Sequence, residues 1–289
     1  MPAEPPPIPL QQHLSTLEVP TARRLPGAVV ACGCTAFLDE EHEGQSWLLR
    51  LQCELRHPDA ADPRAVYVGT SGSAEDEEYA AFVRAVGRCG IRTCRRIDAD
   101  LAVPAATLCF LEQSAVVWFG DTERPEHVWQ AMVRDEEAGL IDRIRWRHQH
   151  GALLVGVGGG ATLLGRYGFQ SIKPGERPPP RMGEGPHRRV TFEALGCIDA
   201  LVANTPPPTP PTDEEAPKDY SQRKEREEAK LVLAQLPLKT VGYVVPRDSA
   251  LLSRHDGSCE AICGDVRKLV CTTWHNLTDV KALPAIQSV

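Results

Sequence analysis

No stretch of this sequence runs apolar for the roughly 20 residues that a membrane-spanning helix needs, so no bilayer span is expected. Basic residues are outnumbered: 32 Lys and Arg stand against 39 Asp and Glu, a formal charge of −7. Phosphate backbones are bound through clustered Lys and Arg, and this balance argues against a nucleic-acid partner. The one basic cluster, Arg143, Arg145, Arg147 and His148, follows acidic residues in an amphipathic pattern and reads as a solvated helix face. The opening Met-Pro-Ala-Glu-Pro-Pro-Pro lacks the basic and apolar regions of a secretory signal. That points to the cytoplasm, with receptor-read import into an organelle left open. Metal-ligand spacing is missing too. The only close cysteine pairs are Cys32-Gly-Cys34 and Cys259 with Cys263, neither of which has the spacing of a zinc ribbon. Ten cysteines in a chain this long read as buried thiols, with no metal and no cofactor.

What is present is enough for a core. With 289 residues, 42% of them hydrophobic, the chain can fold as a globular unit. Residues 1–26 are Pro-rich and aperiodic and read as a tail, and 27–289 read as one α/β domain. Short apolar runs (Ala28–Ala31, Ala65–Val68, Ala115–Phe119) and a further strand candidate at Ile91–Ile97 alternate with helical patterns at Trp47–Leu55, Glu75–Cys89 and His127–His148. Ser71 or Ser73 is placed to cap the helix that begins near Glu75. Such alternation predicts right-handed βαβ units, a mostly parallel sheet and helices on both faces, a three-layer arrangement. Ligands in such sheets sit at the carboxyl ends of the strands, and Gly33, Gly120 and Gly156–Gly160 should converge there. Thr205–Tyr220 carries six prolines and reads as a disordered insertion. After it come a helix over Ser221–Leu236, a strand over Val241–Val245 and a strand pair within Ala261–Thr273 that turns at Gly264-Asp265.

The most informative segment is Ala152-Leu-Leu-Val-Gly-Val-Gly-Gly-Gly-Ala-Thr-Leu-Leu-Gly165. An apolar strand breaks into glycines and resumes as a helical pattern, the geometry that presents a nucleophile at the top of an α/β sheet. The apex is Gly158, which has no side chain. No Ser or Cys lies between Ala152 and Gln170. Thr162 sits one turn into the helix and faces the wrong way.

The order of motifs resembles peptidase family S51, the serine peptidases that include cyanophycinase and aspartyl dipeptidase. Val29-Val-Ala-Cys-Gly33 is similar to the family's opening strand and glycine turn. Val117-Trp-Phe-Gly-Asp-Thr-Glu123 stands where it has Phe-x-Gly-Gly-Asp/Asn-Gln, and Gly156-Val-Gly-Gly-Gly-Ala161 where it has Gly-Thr-Ser-Ala-Gly-Ala. Leu195-Gly196, Asp219-Tyr-Ser-Gln-Arg223, Ala234-Gln-Leu-Pro237 and Val244-Val-Pro-Arg-Asp-Ser-Ala-Leu251 follow in the family's order. The resemblance runs from about Gly27 to Cys271. It implies a class I glutamine amidotransferase-like fold and a Ser nucleophile deprotonated by a His that an acid orients. Each of those roles is vacant here. Gly158 holds the nucleophile position, Asp219 or (with the insertion placed differently) Pro206 the His position, and Arg247 the acid position. Gly120-Asp121 replaces a Gly-Gly pair, and Glu123 replaces the Gln.

The leading expectation is a non-catalytic relative with a structural, interaction or scaffold role toward protein partners, a homodimer among them. Three alternatives compete with it. The bare amides of Gly156, Gly158, Gly159 and Gly160, with Gly120, Asp121 and Arg247 nearby, suggest a sensor of anionic metabolites. A hydrolase acting on aspartyl dipeptides or cyanophycin-like polymers would have to rebuild its chemistry from Ser71, Ser73, Asp121, Glu123 and His127. A dinucleotide fingerprint over Gly156–Ala161 would need its ribose-binding acid at Glu176, inside a Pro-rich segment, which argues against NAD(P).

Overall fold

A computed structural model describes residues 25–34, 41–42, 45–46, 62–134, 138–171, 189–204, 229–230, 232–233, 236–237, 239–273 and 276–282. Most of the expected tail, the Trp47–Leu55 segment, the insertion at 205–220, and with it Pro206 and Asp219, lie outside them. The strands are β1 (Val29–Cys32), β2 (Glu41–His42), β3 (Gln45–Ser46), β4 (Arg64–Gly69), β5 (Thr93–Asp98), β6 (Val116–Phe119), β7 (Leu153–Val157), β8 (Gly165–Ser171), β9 (Arg189–Glu193), β10 (Ile198–Asn204), β11 (Val241–Val245), β12 (Ala250–Ser253), β13 (Cys259–Cys263), β14 (Arg267–Thr273) and β15 (Asn276–Ala282). The helices are α1 (Ser73–Arg88), α2 (Ala105–Glu112), α3 (Pro125–Arg134), α4 (Leu140–Gln149) and α5 (Gly159–Thr162).

The main sheet has seven strands in the order β13-β12-β1-β7-β6-β4-β5. Its five strands from β1 to β5 pair in parallel, and β12 and β13 add an antiparallel edge. The inner strands β1, β7, β6 and β4 are apolar without alternation because both of their faces are covered, while β5 at the edge carries Arg95, Arg96 and Asp98. Val29, Ala31, Val66, Val68, Val117, Phe119 and Leu154 point into one core, which α2, α3 and α4 close. Val30, Cys32, Ala65, Tyr67, Val116, Trp118 and Val155 point into the other, against Phe82, Ala85 and Val86 of α1. The expected layered α/β arrangement is therefore present.

A second sheet adds to it. Six strands in the order β15-β14-β11-β10-β8-β9 send Ile198, Ala200, Val202, Tyr243 and Val245 into the same core that α2–α4 close. The turn at Gly264 is present, but the strands beside it do not pair with each other. β13 pairs with β12 in the first sheet, and β14 pairs with β11 and β15 in the second. Gly264 takes φ 66°, and a Cβ there would overlap Ser249. The Ser249 hydroxyl accepts the Asp265 N–H at 3.1 Å, which swings the chain from one sheet to the other.

Two further expectations change. The helix expected over His127–His148 is two helices, α3 and α4, because Gly139 turns left-handed at φ 56° and starts the second. The basic cluster of α4 is only in part a solvated face, since Arg145 is exposed but Arg147 is buried. Arg147 is 3% exposed and donates to the carbonyls of Ser114 (2.6 Å) and His150 (2.7 Å). Arg143 pairs with the buried Glu112, and Arg145 donates to the Leu195 carbonyl at 2.9 Å. His148 bonds the Gly27 carbonyl through Nε2 at 2.9 Å. The periodicity was ambiguous because a guanidinium that donates to carbonyls at the ends of other elements looks, in sequence, like one facing water.

Arg147→Met leaves the buried Ser114 carbonyl and the part-buried His150 carbonyl without this donor, and is expected to lower stability by about 2–4 kcal/mol, read as a reduced urea midpoint at unchanged slope. Burial holds the His148 imidazole below its ordinary 6.5, although its bond to Gly27 pulls the other way. The unfolded chain therefore binds the proton more readily, and stability present above that value is lost as the pH falls through it. His148→Gln removes this component. Its stability profile from pH 7 to 5 should be flatter than that of wild type by no more than about 1.4 kcal/mol per pH unit.

Candidate functional site

β1, β7 and β6 are neighbours, so the expected convergence of their carboxyl ends occurs. Ala31 and Phe119 both pair with Gly156, and Cys32 pairs with Val157. Gly33 donates its N–H to the Ser249 carbonyl at 2.9 Å. It lies so close to Pro246 and Arg247 that a Cβ would overlap their backbone, which brings Arg247 to the same crevice.

The turn after β7 is a strand-to-helix elbow. Gly158 takes φ 55°, ψ −126° and donates its N–H to the Cys32 carbonyl at 2.9 Å. A side chain strains at such a φ, which glycine tolerates. The helix that follows is a single turn, shorter than its apolar pattern suggests. Leu164 gives its carbonyl to the Ile198 N–H at 2.9 Å, and Gly165 starts β8. The elbow is thus one of the links between the two sheets. Thr162 is buried and donates to the Gly159 carbonyl at 2.8 Å, away from the crevice.

The three glycines 158–160 are dictated by the loop that follows β6. A Cβ at Gly160 would overlap the carbonyl oxygens of Gly120 and Phe119, and one at Gly159 that of Thr122. At Gly158 it would overlap the carboxylate of Asp121. That carboxylate is half-buried and accepts the Gly159 N–H at 2.9 Å. Desolvation raises its pKa, while the Gly159 N–H and the charge of Arg247 oppose the rise. The Asp121 N–H in turn donates to Glu78 Oε2 at 3.4 Å. Gly120 has no side chain because the Tyr67 hydroxyl fills that space. Tyr67 donates to the buried Glu75, and burial raises the pKa of both groups. Sequence reading missed Tyr67, Glu75 and Glu78. The one signal was a tyrosine in the otherwise aliphatic run Ala65–Val68.

Of the residues considered for relocated chemistry, Glu123 lies near enough to Asp121 for its charge to raise the carboxyl's pKa, and Ser71 is engaged elsewhere. Ser71 donates through its N–H and hydroxyl to the Asp100 carboxylate, at 2.7 and 2.5 Å. It caps nothing, since α1 follows Gly72 without a side-chain cap. Ser73 opens α1, and Glu123 and His127 are exposed. Asn204, at the end of β10, has a buried Oδ1 with no hydrogen bond among the described residues. Among those residues no group of His, Cys, Asp or Glu is placed to hold a metal ion, and no helix is long and apolar enough to cross a membrane. Glu176, the acid that a dinucleotide reading needs, lies outside them.

No family model matches the chain, and no curated protein does. Among solved structures it is similar to a peptidase from an acI-B1 actinobacterium, with 16% identity and a TM-score of 0.53 over 90% of this chain and 96% of that one. It is also similar to a candidate peptidase E protein of Listeria monocytogenes EGD-e, with 13% identity and a TM-score of 0.50 over 82% and 98% of the two chains. The chain therefore has the peptidase E-like, class I glutamine amidotransferase-like α/β fold.

Gly160→Ala should destabilise by about 1–3 kcal/mol through backbone overlap. Gly87→Ala, in α1 with open space around it, should stabilise by roughly 0.5–1 kcal/mol. Paired thermal melts check both, and a neutral Gly160→Ala would mean that the loop after β6 can retreat from the elbow.

Proposed function

We propose that this chain is a non-catalytic relative of the S51 peptidases that acts through its surface, as a scaffold or interaction partner for protein. A second copy of the chain is among the partners this reading admits. One observation carries it: the apex of the elbow is Gly158, at φ 55°, with no side chain to attack a carbonyl. Covalent catalysis needs an activated nucleophile, and without one a triad enzyme retains only what its oxyanion donors and substrate binding supply, roughly 10³–10⁴-fold over water. Even that remainder is compromised here. The Gly159 N–H, which follows the apex and would face a developing oxyanion, is already bonded to Asp121 at 2.9 Å. The same bond weakens the reading as a sensor of anionic metabolites, because the turn's amides are not all free. Arg247 near the crevice adds a cation where the family resemblance puts the acid that would orient a base.

The test is turnover. Wild-type protein is expected to release no product from an aspartyl dipeptide or a cyanophycin-like polymer above the buffer rate. Hydrolysis that His127→Ala or Asp121→Asn abolishes would overturn the proposal and point to relocated chemistry in the crevice.

A further inference from the structure

The missing nucleophile does not leave an empty place. The Asp121 carboxylate occupies the volume that a side chain at 158 would take, since a Cβ built on Gly158 overlaps Oδ1 and Cγ and stands 2.6 Å from Oδ2. It is held there from several directions. Oδ1 accepts the Gly159 N–H at 2.9 Å, and Arg247 draws on the carboxylate through its charge. The backbone of Asp121 is tethered to Glu78, and its neighbours Gly120 and Thr122 press their carbonyls against Gly160 and Gly159. Turning the carboxylate aside would break its bond to the Gly159 N–H and draw it away from the charge of Arg247.

We propose that Asp121 is an internal plug of the elbow, standing in for the absent nucleophile and taking the adjacent amide so that the crevice floor is closed to a ligand carbonyl. Asp121 and any side chain at 158 are then mutually exclusive. The proposal rests on the reading of the chain as a non-catalytic peptidase relative, because it says what fills the abandoned position. Its geometry makes a claim of its own. Restoring a nucleophile by Gly158→Ser alone will not rebuild the site, even alongside Asp219→His and Arg247→Glu. Asp121→Gly is required as well.

The test is a double-mutant cycle on the full chain, read by thermal unfolding. Gly158→Ala is expected to lower Tm by roughly 4–10 °C in the wild-type background, combining overlap with backbone strain. In the Asp121→Gly background the loss should fall to less than half. In the Asp121→Asn background, where the bulk stays and the charge goes, the full loss should persist. Equal losses in all three backgrounds would overturn the proposal. So would a Gly158→Ala chain that folds neither alone nor with Asp121→Gly, since the obstruction would then lie elsewhere.

A second measurement reads access directly. The thiol of Gly158→Cys, followed by peptide mapping after iodoacetamide, should be alkylated at least 10-fold faster with Asp121→Gly than without it. Equal rates count against a plug. Neither measurement depends on hydrolysis. Wild-type turnover would therefore sink the non-catalytic reading while leaving the coupling between 121 and 158 to be decided separately.

Discussion

The close approach of residues 119–122 to the glycine elbow is the constraint on which the rest of this structure depends. Three successive glycines, 158–160, each meet an atom of that loop where a Cβ would stand. The contact joins the ends of β6 and β7, fixes Asp121 against the Gly159 amide, and sets the direction in which the chain leaves for the second sheet. An elbow that must present a nucleophile needs room above its apex. This one has given that room to a neighbouring carboxylate.

The same region explains how two sheets share a core. β7 ends in the first sheet and β8 begins in the second, with only Gly158, α5 and a two-leucine link between them. Leu163 and Leu164 are buried in the core that receives side chains from both sheets. Such a junction tolerates no long helix after the elbow, which is why the helical pattern there stops after one turn. The chain returns to the first sheet between β11 and β12, through residues 246–249, and the third crossing, at Gly264, uses a left-handed glycine and the Ser249 hydroxyl. The first two crossings border the crevice, the elbow at Gly158 and the 246–249 link against Gly33, so its shape is tied to the packing of both sheets. Marginal stability makes such ties consequential, since one or two kcal/mol is a large fraction of the total.

Cations that donate to backbone or to a buried carboxylate form the other thread. Arg147, Arg143 and Arg145 bind carbonyls or a buried carboxylate at the ends of α2, β6 and the Ala194–Leu195 loop. Removing water from a guanidinium is expensive unless its donors are used, and Arg147, whose pKa burial pushes down to about 10, uses them on backbone. These contacts orient α4, and α4 leads directly into β7 and the elbow.

Local pattern determined a good deal. The apolar runs at Val29, Ala65, Val116 and Leu153 marked parallel strands, because a strand covered on both faces cannot alternate. The glycine run after β7 marked an elbow with no side chain at its apex, because that follows from residue identity alone. The same logic placed Gly33, Gly120 and Gly156–Gly160 at one end of a sheet. What the sequence left open are features set by atoms distant along the chain. Whether Arg147 faces water or the Ser114 carbonyl depends on what packs over it, and periodicity does not carry that. The split of β13 and β14 between two sheets depends on Ser249, 15 or 16 positions before the turn that it receives. The filling of the 158 apex by Asp121 depends on a register between β6 and β7 that brings residues 37 positions apart into one volume. Residue identity decided what the elbow lacks, and only tertiary packing decided what stands in its place, because excluded volume is a property of the assembled neighbours and not of the segment.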